Sequence, residues 1–218
     1  MKAALSLLFV SVLAVSPAHA NLLSNASFES QIDYSGTDPN NWLPFFGGGS
    51  QGTTSTVDAG YTGVVMPSDG VNHLSMINAT AQDGFSGILQ SFPAVEGLDY
   101  TFAFEAKANG AYNIASEYRI EWLDAAGGFV GGQFDLNTGF TPTATYATQS
   151  ITATAPAGAV TGTAVIAIQT FIPAPPGGAG DFFGDLFVDN ASVTSNIPEP
   201  SAAVLGLLGI AGLARRRH

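Results

Sequence analysis

Cysteine is absent from this chain. No disulfide framework and no thiolate metal site can hold it, so its stability has to come from core burial or an oxygen-ligated metal. Basic charge is nearly as scarce, with 6 Lys and Arg against 17 Asp and Glu in 218 residues. Lys2, Arg215, Arg216 and Arg217 stand in the two end segments, which leaves Lys107 and Arg119 as the cations of the middle. A body this acidic repels a phosphate backbone; it excludes nucleic acid as a partner and suits neutral ligands and divalent cations. There is no HExxH metal motif and no Gly-rich phosphate loop. His73 is the one histidine between the end segments, which argues against a catalytic metal. The expected reading is therefore a protein that is not an enzyme. A glycoside-cleaving enzyme stays open as the alternative, because two carboxylates at the right separation suffice for it and acids are plentiful.

Both ends read as targeting segments. Met1 and Lys2 are followed by a run from Ala3 to Val15 that is apolar or Ser throughout. Pro17 breaks that run, and Ala18-His19-Ala20 offers signal peptidase a small-x-small site before Asn21. Residues 1–20 are thus expected to be a helical signal peptide cut between Ala20 and Asn21. At the other end, Asn196-Ile197-Pro198-Glu199-Pro200 cannot be helical, since its prolines remove donors and push their neighbours toward extended geometry. Ala202 to Ala214 is uncharged and apolar, and Arg215, Arg216, Arg217 and His218 follow. Such a run falls below the roughly 20 residues that span a bilayer comfortably. Its arginines favour the cytoplasmic side. Residues 196–218 resemble the PEP-CTERM sorting signal: a PEP motif at Pro198, Glu199 and Pro200, a short apolar helix and an Arg cluster. The resemblance implies transient insertion in the inner membrane, processing by an exosortase near the PEP motif, and a Gram-negative host that makes exopolysaccharide. An ordinary tail anchor that is never cut is the alternative.

The middle, residues 21–195, has the length of one domain with a sizeable core. It shows no long 3.6-residue apolar period. Short alternating runs bounded by Gly, Pro, Asn and Asp dominate instead. Phe102, Phe104 and Ala106 alternate with Thr101, Ala103, Glu105 and Lys107; Tyr118, Ile120 and Trp122 alternate with Arg119, Glu121 and Leu123. Residues 145–154, 162–171 and 182–194 continue the series, and Asp124-Ala125-Ala126-Gly127-Gly128 reads as a hairpin turn. About ten or eleven strands at this spacing predict an all-β fold.

Five landmarks then resemble family 4/9-like carbohydrate-binding modules, which are galactose-binding-like jelly rolls. They are Asn21-Leu22-Leu23-Ser24-Asn25-Ala26-Ser27-Phe28-Glu29 as an opening strand, Asn41-Trp42-Leu43, and Gly87–Phe92 leading through Gly97 into Tyr100-Thr101-Phe102 as a strand pair. Trp122–Gly127 follows as a hairpin, and Leu186–Val193 closes the series. Asn190 stands where a second Asp is usual, and Ala26 where Gly is common. The resemblance implies a two-sheet antiparallel jelly-roll sandwich. It also implies a structural calcium held by Glu29, Asp189 and the carbonyl of Ser27, where solvated strand-end carboxylates are the bland alternative.

Two sets of residues are candidates for a glycan. Trp42 and Trp122 are sugar platforms or core fillers, and the phase of Trp122 with Tyr118 and Ile120 favours the core. Lys107 with Glu105 and Arg119 with Glu121 are each a cation two residues from a carboxylate, on strands read as neighbours. They either stabilise a sheet by opposite-charge pairing or hydrogen-bond a glycan on a concave face. The function expected is polysaccharide binding outside the cytoplasm or at the cell surface, with a structural or adhesive matrix protein as the alternative.

Overall fold

A computed structural model of the chain describes residues 20–33, 35–38, 41–48, 54–58, 65–77, 84–109, 115–130, 138–169 and 185–196. The expected signal helix, the PEP motif, the C-terminal helix and the Arg cluster lie outside the described residues. Residues Ala20–Asn196 form one compact unit.

That unit is all-β, and no helix occurs among its described residues. Ten strands follow in chain order: β1 (Leu43–Gly48), β2 (Thr54–Asp58), β3 (His73–Ile77), β4 (Gly84–Pro93), β5 (Asp99–Ala108), β6 (Ala115–Leu123), β7 (Thr138–Phe140), β8 (Ala147–Thr154), β9 (Thr161–Gln169) and β10 (Asp185–Ser195). They make two five-stranded antiparallel sheets, β1-β4-β9-β6-β7 and β2-β3-β10-β5-β8, here called sheets A and B. The arrangement is consistent with the jelly-roll sandwich expected from the sequence.

Period-two patterning explains which way each strand faces. In β6 the buried set is Ser116, Tyr118, Ile120 and Trp122, and in β5 it is Tyr100, Phe102, Phe104, Ala106 and Ala108. The two aromatic rows meet between the sheets, where Phe104 packs edge-on to Tyr118 at 5.2 Å and Tyr100 to Trp122 at 5.5 Å. β9 is central in sheet A and buried along both faces from Gly162 to Ile168. Its sequence is accordingly an apolar run rather than an alternation. Gly162 sits between Phe92 and Trp122 in adjacent strands, and a side chain there would meet Phe92 Cζ at 2.2 Å. The missing Cβ is what lets the Phe92 ring fit.

Three expectations from the sequence need correction. The opening segment is not a strand. Asn25 and Phe28 hold positive φ of 46° and 52°, which breaks extended geometry, although Leu22 N donates to the Val193 carbonyl and Ala191 N to the Ala26 carbonyl. First and last segments therefore do run side by side. The segments Gly87–Phe92 and Tyr100–Phe102 are consecutive strands but not a pair, because β4 belongs to sheet A and β5 to sheet B. For the same reason β5 and β6 are not neighbours. Each buries an aromatic face toward the other across the core, so they lie in opposite layers.

Candidate functional site

The strand order decides which polar residues share a surface. Lys107 and Glu105 face outward from sheet B, whereas Arg119 and Glu121 face outward from sheet A. The four do not form one site. Lys107 Nζ lies 5.4 Å from the Tyr146 ring centroid, and Glu105 stands opposite Asp189 and Thr148. Trp42 and Trp122 are 0% and 1% exposed, so neither is a sugar platform. Trp42 packs on Phe28 at 5.4 Å and donates from Nε1 to the Asn25 carbonyl, which is a satisfied core position.

The outer face of sheet A carries the more developed chemistry. On β6, Arg119 is clamped between two carboxylates of its own strand, at positions two before and two after it. Its Nη1 donates to Glu117 Oε1 at 2.5 Å, and its Nε and Nη2 both reach Glu121 Oε1 at 2.8 Å. The second oxygen of Glu117 accepts from Gln169 Nε2 of β9 at 2.9 Å. The side chains of Arg119, Glu117 and Glu121 are only 13%, 15% and 15% exposed, so the clamp is largely withdrawn from bulk water.

Across the same face the register sets Phe45 of β1 opposite Gly87 of β4, and Phe85 of β4 opposite Gly47 of β1. Each ring leans over the other strand's glycine. A Cβ on Gly87 would meet Phe45 Cζ at 2.4 Å, and one on Gly47 would meet Phe85 Cζ at 2.3 Å. The ring centroids are 6.1 Å apart and both residues are half-buried. The cross-strand row Phe45–Gly87–Ala167–Glu117 then leads from this aromatic pair to the arginine clamp. Beside it a small cavity of about 140 Å³ is lined by Asp38, Asn41, Leu43, Leu89 and Ser91 among others. One wall is the turn held by Asp33, whose carboxylate accepts from Ser35 N and Asp38 N; these bonds and the Ser35 hydroxyl hold its pKa down at about 2. The sequence reading assigned Phe45 no role. The signal available was the repeated Phe-x-Gly in Phe45-Phe46-Gly47 and Phe85-Ser86-Gly87, which acquires meaning only with the register.

Two of the expected metal residues, Glu29 and Asp189, bond to one loop. Glu29 Oε1 accepts from Val71 N and Asn72 N at 2.9 and 3.2 Å. Asp189 Oδ2 accepts from Ser68 N, Ser68 Oγ and Asp69 N, and its Oδ1 from Asn190 N. The residues bordering both carboxylates, Phe28 and Asn190, have positive φ, and β10 bulges between Asp189 and Ser192. Asp189 is fully buried, and desolvation pushes its carboxyl above the ordinary range despite the four hydrogen bonds. Among the described residues no group of three or more His, Cys, Asp or Glu converges.

Many solved structures share this architecture. The enzymatically active domain of bacteriophage CBA120 tailspike protein 4 superposes with a TM-score of 0.57 at 15% identity, over 80% of this chain and 21% of that one. A family 4 carbohydrate-binding module (CBM4) gives 0.51 at 17% identity, over 80% of this chain and 99% of that one. The CBM22-1 xylan-binding domain of Paenibacillus barcinonensis Xyn10C gives 0.50 at 13% identity, over 83% and 97%. The likeness is one of fold. It occurs both in modules matched over nearly their whole length and in a longer, enzymatically active chain of which this chain spans about a fifth. No family model and no curated protein matches the sequence.

Proposed function

We propose that this is an exported, non-catalytic polysaccharide-binding protein whose glycan lies across the outer face of sheet A. One observation carries the reading: two reciprocally seated aromatic rings, Phe45 and Phe85, stand in line with a preorganised arginine clamp on one sheet face. Aromatic faces accept the C–H side of a pyranose, because a ring face is negative and the C–H edges are positive. Carboxylates and amides beside them hydrogen-bond hydroxyls. The fold neighbours described as carbohydrate-binding support this reading, and Arg119 and Glu121 keep their proposed ligand role while Lys107 and Glu105 do not. The test is affinity electrophoresis of the purified protein through gels holding a panel of polysaccharides. Retention by at least one glycan, lost on Phe85→Ala, is the expected result; no retention by any of them overturns the reading.

A structural or adhesive matrix protein without a sugar site is the second reading. One observation favours it: Val165 and Ala167, on the same outer face, are 0% and 2% exposed.

The proposal extends to export and to calcium. Signal peptidase cleavage at Ala20-Asn21 and exosortase processing near Pro198-Glu199-Pro200 would deliver the body to the extracellular side or the cell surface of a Gram-negative host. Replacing Glu199 and Arg215–Arg217 and following the protein by fractionation tests this, and unchanged delivery speaks against it. A structural calcium fits the donor type available, since Glu29 and Asp189 supply oxygens to one loop and Asp189 is a buried carboxylate that a cation would help ionise. With two acids at hand among the described residues, the rest of its six to eight oxygens would come from backbone carbonyls, that of Ser27 first.

A further inference from the structure

We infer that Glu117 and Glu121 are selectivity residues that bar acidic sugars from the outer face of sheet A, so that the face takes an uncharged glycan. The inference rests on the glycan reading above and names the ligand class.

Arginine is the side chain that recognises a carboxylate through two parallel N–H bonds, and a uronic-acid polymer would seek it first. Arg119 is the cation of this face, and each of its three nitrogens already bonds a carboxylate, two to Glu121 and one to Glu117, which uses three of its five N–H donors. Glu117 is itself fixed by Gln169. One positive and two negative charges leave the clamp net negative. The described residues facing outward beside it on β1, β4, β7 and β9, among them Phe45, Phe85, Leu89 and Gln169, add no charge. Lys107, the other cation of the middle, projects from the opposite sheet. An arriving uronate would therefore either break a largely buried ion pair or take the two remaining N–H donors with a glutamate carboxylate on each side, and both routes are costly. A sugar hydroxyl faces neither cost, because each glutamate retains lone pairs that accept O–H bonds. Glu117 was not singled out by the sequence reading; its place in the clamp makes it half of the selectivity device.

The experiment compares the purified full-length protein with the Glu117→Gln/Glu121→Gln double variant on neutral polysaccharides and on polygalacturonate at low ionic strength. The wild type is expected to ignore polygalacturonate. The double variant is expected to gain affinity for it by about tenfold or more, which is roughly 1.4 kcal/mol. That gain should fall with added salt and vanish when Arg119→Gln is added. Wild-type binding to polygalacturonate as tight as to any neutral glycan overturns the inference. So does a double variant with wild-type circular dichroism and no gain. Should the double variant not fold, Glu121→Gln alone removes the negative charge that faces two of the three arginine nitrogens and carries the same expectation. A wild type that retains no neutral glycan refutes the glycan reading instead, while the gain in the variant still decides the role of the two glutamates.

Discussion

Alanine at Gly87 and at Gly47 separates the packing of the aromatic pair from its ligand role. Both substitutions add one methyl group under a phenyl ring, and both replace Gly in a strand, which by itself favours the folded state by about 0.5–1 kcal/mol. The surroundings differ. At Gly47 the three nearest atoms that the new Cβ meets all belong to the ring of Phe85, at 2.3 to 3.2 Å, the far end of a side chain rather than backbone. At Gly87 it meets Phe45 and also the main-chain carbonyl of Ile166 at 2.5 Å, and the latter is locked in the β4–β9 ladder. Overpacking of that kind costs about 1–3 kcal/mol. Gly87→Ala is therefore expected to lower stability by about 1–2 kcal/mol, and Gly47→Ala to leave it unchanged or slightly raised. Both should lose glycan retention, since each displaces a ring of the platform. Urea unfolding at fixed temperature gives the stabilities and affinity electrophoresis the retention. Equal destabilisation by the two variants refutes the packing argument; full retention by a folded Gly47→Ala protein refutes the platform.

Three further outcomes follow from the same structure. Trp42→Ala and Trp122→Ala should each cost about 3–5 kcal/mol in urea unfolding, because both indoles are fully buried; a loss below 1 kcal/mol for either would place it outside the core. The carboxyl of Asp189 is raised above its unfolded value of 3.8, so its contribution to stability is present below that value and lost as pH rises through the folded pKa. In EDTA, Asp189→Asn should remove this acid-favouring component from the pH profile of the urea midpoint, and added calcium should raise the midpoint of the wild type alone. A calcium shift that survives Asp189→Asn and Glu29→Gln would move the ion elsewhere. Asp33, held at about 2, contributes above its unfolded value of 3.8 and loses that contribution as pH falls through about 2. A side-chain NMR titration should find it there, and Asp33→Ala should loosen the turn beside Leu43 and weaken glycan retention more than stability.

Much of this molecule was legible residue by residue, and the limits of that reading are physical. Alternation told the inward face of β5 and β6 without error: Phe102, Phe104, Tyr118, Ile120 and Trp122 are buried or packed in the core. Alternation is a property of one strand, set by the pleat. Which strands become neighbours depends on contacts between residues far apart in the chain, and here two strands with matching aromatic rows buried those rows against each other from opposite sheets. The pairing of Lys107 with Arg119 fails on that point alone. The opening motif failed differently. Its resemblance to the family motif implies a strand, but Asn25 and Phe28 take left-handed backbone conformations so that the segment can turn Glu29 toward Val71 and Asn72. A phenylalanine held there is costly.

The same limit explains why the sheet A site was half seen. Arg119 and Glu121 announce themselves as a rare cation with a carboxylate two residues away, a spacing that puts both on one face of any strand. Glu117 has the same spacing on the other side, and its role follows once β6 is known to run straight past Gln169 of β9. Phe45 and Phe85 carry no such mark, because an aromatic beside a glycine is ordinary in turns. Only the antiparallel register, setting each Phe opposite the other strand's Gly, shows that the glycines are there to seat the rings. The charge clamp and the ring pair thus come from different kinds of information, local spacing for one and long-range register for the other. They meet on one face because β9, nearly featureless in sequence, is the strand that joins β4 to β6.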